Sequence, residues 1–139
     1  MPLLEKGVHM VTDRMPKVIS PRVHAIIDYA FAGSFFLMGA LAWKKSKKVA
    51  ISSFIVAGAE TGLAMSTDYP GGVFRAISFP THGKIDAGFS GLIGSMPNVM
   101  GFDDAASSWF FRSQGMALAA VTGLTDFHRL RGETRRRAA

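Results

Sequence analysis

The chain has 139 residues, of which 48% are hydrophobic and 19% charged, with no cysteine and a formal charge of +6 at pH 7. This length fits one domain, and the absence of cysteine excludes disulfide bonds, thiolate zinc sites and cysteine nucleophiles. The basic residues are concentrated in Lys44–Lys48 and in Arg129–Arg137. The modest mean hydropathy of +0.21 therefore averages long apolar segments with charged loops and ends.

Residues 1–19 precede the first long apolar segment. Leu4, Val8, Val11 and Met15 fall on one helical stripe, which predicts a short amphipathic helix lying in a membrane interface. A frayed polar tail is the alternative. These residues lack the continuous apolar run of a secretory signal, so no signal peptide is expected.

Four segments are long and apolar enough to be tested as transmembrane helices, which need about 20 residues each. In chain order they are Val23–Trp43, Val49–Ser66, Gly83–Phe102 and Ala105–Thr125. Glycine, serine and polar residues dilute the last two, and Pro97 is expected to end or kink the third. Because the connections are short, consecutive helices are predicted to lie antiparallel. The predicted fold class is all-α, a bundle of four transmembrane helices followed by a basic tail over 128–139.

The chain contains an internal repeat with an offset of 58 residues. Ser20-x3-His24-x2-Ile27-Asp28-x2-Phe31-x-Gly33 recurs as Ser78-x3-His82-x2-Ile85-Asp86-x2-Phe89-x-Gly91. The repeat units cover about 20–69 and 78–127, and each holds two predicted helices. An even number of spans preserves direction, so we predict two tandem helical hairpins related by an axis along the membrane normal.

The repeat places two His-x3-Asp pairs, His24 with Asp28 and His82 with Asp86, near one end of the bundle. Residues four apart share a helix face. These imidazoles and carboxylates form a candidate divalent-metal site, and the two histidines are candidate axial ligands of a haem or pigment. A proton path is a further alternative. The preferred interpretation is that the two pairs have a structural role and bind no cofactor. Their carboxylates lie near helix N-termini, where the helix dipole favours negative charge, and hydrogen bonds between the pairs would fix the register of the helices.

Other polar residues are expected inside the bundle. They are Glu60, Arg112, Asp68 and Asp126. The repeat counterpart of Glu60 is an apolar residue, Leu118 or Val121 depending on the alignment. An ionised carboxylate at this depth needs a partner, so we predict either a Glu60–Arg112 contact or a protonated Glu60.

Small residues recur at four-residue spacing in the second and fourth helices. The two strips are Gly58-x3-Gly62 and Gly115-x3-Ala119-x3-Gly123. Such strips let helix backbones approach closely in a membrane, so we predict close packing of helices two and four.

Most of the 16 Lys and Arg residues lie on the side that holds both termini. The positive-inside rule therefore predicts cytoplasmic termini. The cluster Lys44–Lys48, on the other side, favours the reverse orientation. Membrane lipids are the expected partners of the basic C-terminal residues, and nucleic acid is not.

Three stretches resemble the SPW-repeat family of small bacterial inner-membrane proteins. They are Thr67-Asp68-Tyr69-x2-Gly72-x2-Arg75-x-Ile77, His82-x2-Ile85-Asp86-x4-Gly91 and Met96-Pro97-Asn98-Val99-Met100-Gly101-Phe102. The resemblance covers roughly residues 20–127, with Met96-Pro97-Asn98 at the position of the family's Ser-Pro-Trp triplet. It implies a divergent four-span protein of the bacterial inner membrane, and it supplies no catalytic residues.

The sequence contains no Walker loop, Gly-x-Ser-x-Gly elbow or His-Glu-x-x-His motif, which favours a non-enzymatic protein. The leading hypothesis is a structural or accessory subunit of a larger membrane complex or a homo-oligomer. The first alternative is a membrane module that binds an ion, a metal, a haem or a pigment through the His-x3-Asp pairs. The second alternative is a small transporter, and the last is a soluble four-helix protein.

Overall fold

The computed structural model describes residues 2, 3, 6, 15–130, 136, 138 and 139. Within 15–130 the chain forms four long helices and one pair of short strands. In chain order they are α1 Pro21–Ala42, α2 Lys47–Ser66, β1 Thr67–Asp68, β2 Ile77–Ser78, α3 Phe79–Met100 and α4 Ala105–Leu124. The predicted helical class is confirmed. Leu4, Val8 and Val11 of the predicted amphipathic helix, and half of the basic tail, lie outside the described residues.

Each long helix begins at a capping side chain. The caps are Ser20, Ser46, Ser78 and Asp104, and each side chain accepts a hydrogen bond from the backbone N–H three residues later. Such bonds satisfy one of the N–H groups that a helix start leaves without an intrahelical partner. Because α1 and α3 also carry proline in their first turn, they begin two and four residues before the predicted apolar spans.

Pro97 lies inside α3 rather than at its end, and the helix continues to Met100. Gly101 then ends the helix in the left-handed conformation, with φ of 62°, and donates its N–H to the Pro97 carbonyl. Glycine adopts this conformation without the steric cost of a Cβ atom. The predicted end of the third helix is therefore correct to within one turn.

The helices pack as two antiparallel hairpins, α1 with α2 and α3 with α4. Short parallel backbone pairings join the two hairpins. Thr67 pairs with Ile77 between β1 and β2, and Thr125 pairs with Ile19 in an isolated bridge. These two pairings differ by the same 58 residues as the sequence repeat. Each links the end of one repeat unit to the start of the other.

The predicted packing of the second and fourth helices through small residues is wrong. Gly58 and Gly62 on α2 are exposed, and a Cβ atom at either would meet nothing within 4 Å. Gly115 on α4 instead packs on α3, where its Cβ would lie 2.7 Å from the Ser90 carbonyl oxygen. Consecutive helices joined by short loops form the tight hairpins, so the close approach occurs within a hairpin. Of the other two positions, Gly123 is buried and Ala119 is half-buried.

The bundle interior contains two apolar clusters, with polar side chains between them. The larger cluster fills the half toward Lys44–Lys48 and includes Phe35, Val56, Ile93, Phe111 and Leu118. A smaller cluster around Tyr69 and Phe79 lies at the opposite end. Between these two clusters lie the buried histidine and aspartate side chains.

Two of the described helices, α1 and α2, are long and apolar enough to cross a membrane, with mean hydropathies of 1.6 and 1.4. The outer surface of all four helices also carries large apolar side chains. Examples are Leu37, Ile55, Leu92 and Met116, each at least half exposed.

Candidate metal centre

Four buried side chains converge between the two apolar clusters of the bundle. His24 and Asp28 lie one turn apart on α1, and His82 and Asp86 lie one turn apart on α3. None of the four is more than 1% exposed. The structure therefore brings together all four residues of the predicted metal site, at the interface between the two hairpins.

Each Nε2 atom lies within van der Waals contact distance of the other imidazole and of both carboxylates. The two Nε2 atoms are 3.3 Å apart. His24 Nε2 lies 3.2 Å from an oxygen of Asp28 and 3.2 Å from an oxygen of Asp86. His82 Nε2 lies 3.3 Å and 3.0 Å from oxygens of the same two carboxylates. One ligand atom from each residue falls within 4.8 Å of the other three.

Two threonines fix the orientation of the imidazole rings. The Thr67 hydroxyl donates to the Leu63 carbonyl at 2.6 Å, so the hydrogen bond of 2.7 Å between Thr67 Oγ1 and His82 Nδ1 needs the histidine N–H as its donor. Thr125 holds His24 in the same way, at 2.8 Å, while donating to Val121.

This arrangement sets the tautomer of both histidines. With Nδ1 protonated on each ring, the neutral imidazoles direct two Nε2 lone pairs at each other and at two carboxylates. Such a group of electron-rich atoms in a buried site requires positive charge, from protons on Nε2 or from a metal ion. A second hydrogen bond that orients the imidazole is also the usual surrounding of a metal-ligating histidine.

The separations around the two Nε2 atoms are close to those around a small tetrahedral metal ion. In a tetrahedron the ligand separation is about 1.6 times the metal–ligand distance, so ligands at about 2.0–2.1 Å from Zn²⁺ lie about 3.3–3.4 Å apart. The observed separations between the Nε2 atoms and their neighbours are 3.0–3.3 Å. Two imidazoles and two carboxylates suit a first-row divalent metal better than Ca²⁺ or Mg²⁺, which prefer oxygen ligands.

The same geometry does not fit a haem held between His24 and His82. The two Nε2 atoms are 3.3 Å apart, and both contact the same carboxylates. The rings are also enclosed by Phe79, Phe127 and Tyr69. A porphyrin plane has no space between these atoms, so the haem alternative is wrong for this arrangement.

The two halves of the site differ at one hydroxyl group. Tyr69 donates a hydrogen bond of 2.7 Å to Asp28, whereas the repeat counterpart of Tyr69 is Phe127, which has no donor. Burial and then the charge of Asp28 raise the pKa of Tyr69 well above its ordinary value, so the phenol stays a donor. Asp86 has no equivalent donor among the described residues, and Oδ1 of both aspartates lacks a hydrogen-bond partner there.

A surface cavity of about 240 Å³ reaches Thr125, in the half of the site that contains Phe127. Gly83, Thr125 and Phe127 are among the residues that line it. The Phe127 ring packs against His24 at 5.3 Å between centroids, and it occupies the space that a Cβ atom at Gly83 would need. The Phe127 ring and the Thr125 side chain therefore lie between this cavity and His24.

The other polar residues expected in the interior have different positions. Glu60 is fully buried, Asp126 is half-buried beside the cavity, and Asp68 and Arg112 are exposed. The Glu60–Arg112 contact is wrong, because Arg112 donates a hydrogen bond of 2.8 Å to Asn98 instead. Arg112 is the repeat counterpart of position 54, about 9 Å along the helix from the level of Glu60. Asp68 lies 3.7 Å from Arg75 at the surface.

Sequence reasoning missed Thr67, Thr125 and Tyr69 as residues of the site. The signal was present, since Thr67-Asp68-Tyr69 matches Thr125-Asp126-Phe127 at the repeat offset. The sequence predicts the aspartate of each triplet inside the bundle, whereas in the structure the threonine and the aromatic residue point inward. Within short extended segments neighbouring side chains point to opposite sides, so the threonine and the aspartate do not share an environment.

None of the family models, curated protein sequences or solved structures compared with this chain matches it.

Proposed function

We propose that this chain is a four-span membrane protein that binds one divalent transition-metal ion between its two helical hairpins. His24, Asp28, His82 and Asp86 would be the ligands, and Zn²⁺ is the ion whose coordination distances fit their spacing best. The observation that carries this proposal is the convergence of two Nε2 atoms and two carboxylates at 3.0–3.3 Å, with both Nδ1 atoms hydrogen-bonded to threonine.

The distribution of polar and apolar side chains supports placement of all four helices in a membrane. Histidine, aspartate and glutamate are buried, while leucine, isoleucine and methionine side chains cover the outside. Ionisable residues in membrane bundles face the interior in this way. Trp43 and Trp109 are exposed at the Lys44–Lys48 end, where an interfacial aromatic belt would hold them. A bacterial inner membrane with cytoplasmic termini, as the SPW-repeat resemblance and the charge distribution imply, is part of this proposal.

A metal ion at this position would join the two hairpins. Each hairpin contributes one histidine and one aspartate, and each threonine holds the histidine of the other hairpin. The tandem repeat with a two-fold relation along the membrane normal is supported by these reciprocal bonds. The apolar cluster around Phe35, Ile93 and Phe111 fills the other half of the bundle, which favours a binding site entered from one side over a transport path.

We keep the leading hypothesis from the sequence, so that the metal-binding chain would be an accessory subunit of a larger complex or part of a homo-oligomer. Gly58 and Gly62 are left on the outer surface of α2 by the folded chain, which leaves this surface open to a neighbouring helix. Native mass spectrometry of the chain purified in mild detergent would report its copy number and any bound subunit.

The metal-binding proposal is tested with the detergent-purified full chain. Elemental analysis measures the metal that co-purifies, and titration of the chelator-treated protein with Zn²⁺ measures stoichiometry and affinity. We expect one Zn²⁺ per chain in the wild type and none in His24→Ala/His82→Ala. His128→Ala is the matched control, because this histidine is exposed and lies outside the four ligands.

Two results would overturn the proposal. One is a wild-type chain that binds no Zn²⁺ and no other first-row divalent ion. The other is a double histidine variant that binds Zn²⁺ as tightly as the His128→Ala control. Either would leave the four side chains as a protonated hydrogen-bond cluster that fixes the helix register.

A further inference from the structure

Glu60 is a buried acid that the metal centre does not use. Its side chain on α2 is fully buried, and neither carboxyl oxygen has a hydrogen-bond partner among the described residues. The residue 58 positions later is Leu118 on α4, which is only 2% exposed. The two hairpins thus place an acid and a leucine at equivalent buried positions.

Glu60 lies at the same level in the bundle as the aspartates of the site. It is six residues before the end of α2, or about 9 Å, while Asp28 and Asp86 are each seven residues after the start of α1 and α3, or about 10 Å. The charged groups that act on Glu60 are Asp86 and His82 from α3 and Asp28 from α1. The equivalent position of α4 contributes only the apolar Leu118.

The other charges buried at the site determine whether the carboxyl group of Glu60 is ionised or protonated. An ionised carboxylate without a partner is strongly disfavoured inside an apolar bundle. When a divalent ion is bound, its two charges are matched by Asp28 and Asp86, and both Nε2 atoms are occupied by the metal. An ionised Glu60 would then leave one uncompensated negative charge in the interior.

We propose that Glu60 is a protonated acid beside the metal centre and not a ligand, so that Asp28 and Asp86 alone balance the charge of a bound divalent ion. This inference rests on the proposed metal centre. Because neither carboxyl oxygen of Glu60 has a hydrogen-bond partner among the described residues, the acid keeps its proton when the ion is bound.

The experiment compares the wild type with Glu60→Gln and Glu60→Leu in detergent. Glutamine is neutral and has nearly the shape of the protonated acid, and leucine reproduces the residue at position 118. Infrared spectra of metal-free and Zn²⁺-loaded protein measure the C=O stretch of protonated carboxylic acids. Calorimetric Zn²⁺ titrations give the Zn²⁺ affinity of each protein.

We expect a protonated-carboxyl band in the Zn²⁺-loaded wild type that is absent from Glu60→Gln. Because a neutral Glu60 is not a ligand, the Zn²⁺ affinity of Glu60→Gln should stay within about threefold of the wild type, far less than the 10- to 100-fold loss on removing a group that supports a metal ligand.

The proposal is overturned if the loaded wild type and Glu60→Gln give the same carboxyl region. It is also overturned if Glu60→Gln loses more than about tenfold in affinity, as expected for a ligand. Failure of the metal-binding proposal is separate, since it appears as a wild type that takes up no Zn²⁺. The metal-free spectra then still decide whether Glu60 is protonated.

Discussion

Thr67 and His82 share a hydrogen bond in which the threonine is the acceptor. The Thr67 hydroxyl donates to the Leu63 carbonyl and accepts the Nδ1–H of His82 at 2.7 Å. The end of α2 therefore determines which nitrogen of a histidine on α3 faces the carboxylates. Thr125 does the same for His24 from the end of α4, so each hairpin orients a ligand that the other supplies.

This relationship predicts that Thr67→Val/Thr125→Val weakens metal binding without removing any ligand. Loss of groups that orient metal-bound histidines costs about 10- to 100-fold in affinity. The measurement is Zn²⁺ affinity by competition with a chelator of known affinity. Thr67→Ser/Thr125→Ser keeps both hydroxyls and should bind within about threefold of the wild type. Equal affinities for the valine and serine variants would show that the threonines do not set the imidazole orientation.

The Tyr69 hydroxyl is expected to stabilise the metal-free fold. It donates to a buried carboxylate, Asp28, at 2.7 Å, and hydrogen bonds to charged groups contribute about 1.5–3 kcal/mol. Tyr69→Phe should lower the free energy of unfolding in detergent by about this amount. Tyr29→Phe is the matched control, because its exposed hydroxyl bonds only to the Gly71 carbonyl. Similar losses from both variants would contradict the prediction.

The sequence predicted the four helices well because two independent signals agree. Apolar runs of about 20 residues are interrupted at serine, proline and aspartate, and Ser20, Ser46, Ser78 and Asp104 are the caps in the structure. The convergence of His24, Asp28, His82 and Asp86 also followed from the repeat, since equal positions in parallel hairpins lie at equal depth. The sequence did not show that the two Nε2 atoms lie 3.0–3.3 Å from both carboxylates, and it favoured a structural role for the four side chains.

The errors have a common physical cause. The outer surface of this bundle is as apolar as its interior, so the pattern of apolar residues does not show which face of each helix points inward. The predicted partner of Glu60, Arg112, lies about 9 Å away along the helix direction and donates to Asn98. Gly58 and Gly62, predicted to form an internal contact, lie on a face of α2 that points away from the other helices.

Phe127 is expected to control the rate of metal exchange. Its ring separates the cavity beside Thr125 from His24, and its counterpart Tyr69 is held by a hydrogen bond that Phe127 lacks. Phe127→Ala should release Zn²⁺ to excess chelator faster than the wild type, in stopped-flow measurements with an absorbing chelator. Phe74→Ala, at an exposed aromatic residue, is the control and should not change the rate. An unchanged rate in Phe127→Ala would place the entry route elsewhere.

Asp104 gives a pH-dependent contribution to stability at the far end of the bundle. Its carboxylate accepts the Ser107 backbone N–H at 2.7 Å, and this bond, with that of the Ser107 hydroxyl, lowers the pKa of Asp104 below its ordinary value. A lowered pKa in the folded state means that the contribution is present above the pKa of the unfolded chain and is lost as the pH falls through the folded-state pKa.

The matched variant is Asp104→Asn, which retains a capping oxygen but does not titrate. We expect the difference in Tm between the wild type and Asp104→Asn to be constant well above the unfolded-chain pKa of about 4, and to shift against the wild type as the pH falls below it. Asp104→Ala should lose about 1 kcal/mol at neutral pH, the typical cost of removing an N-cap. A difference between wild type and Asp104→Asn that does not change with pH would show that the carboxylate charge makes no contribution to this helix start.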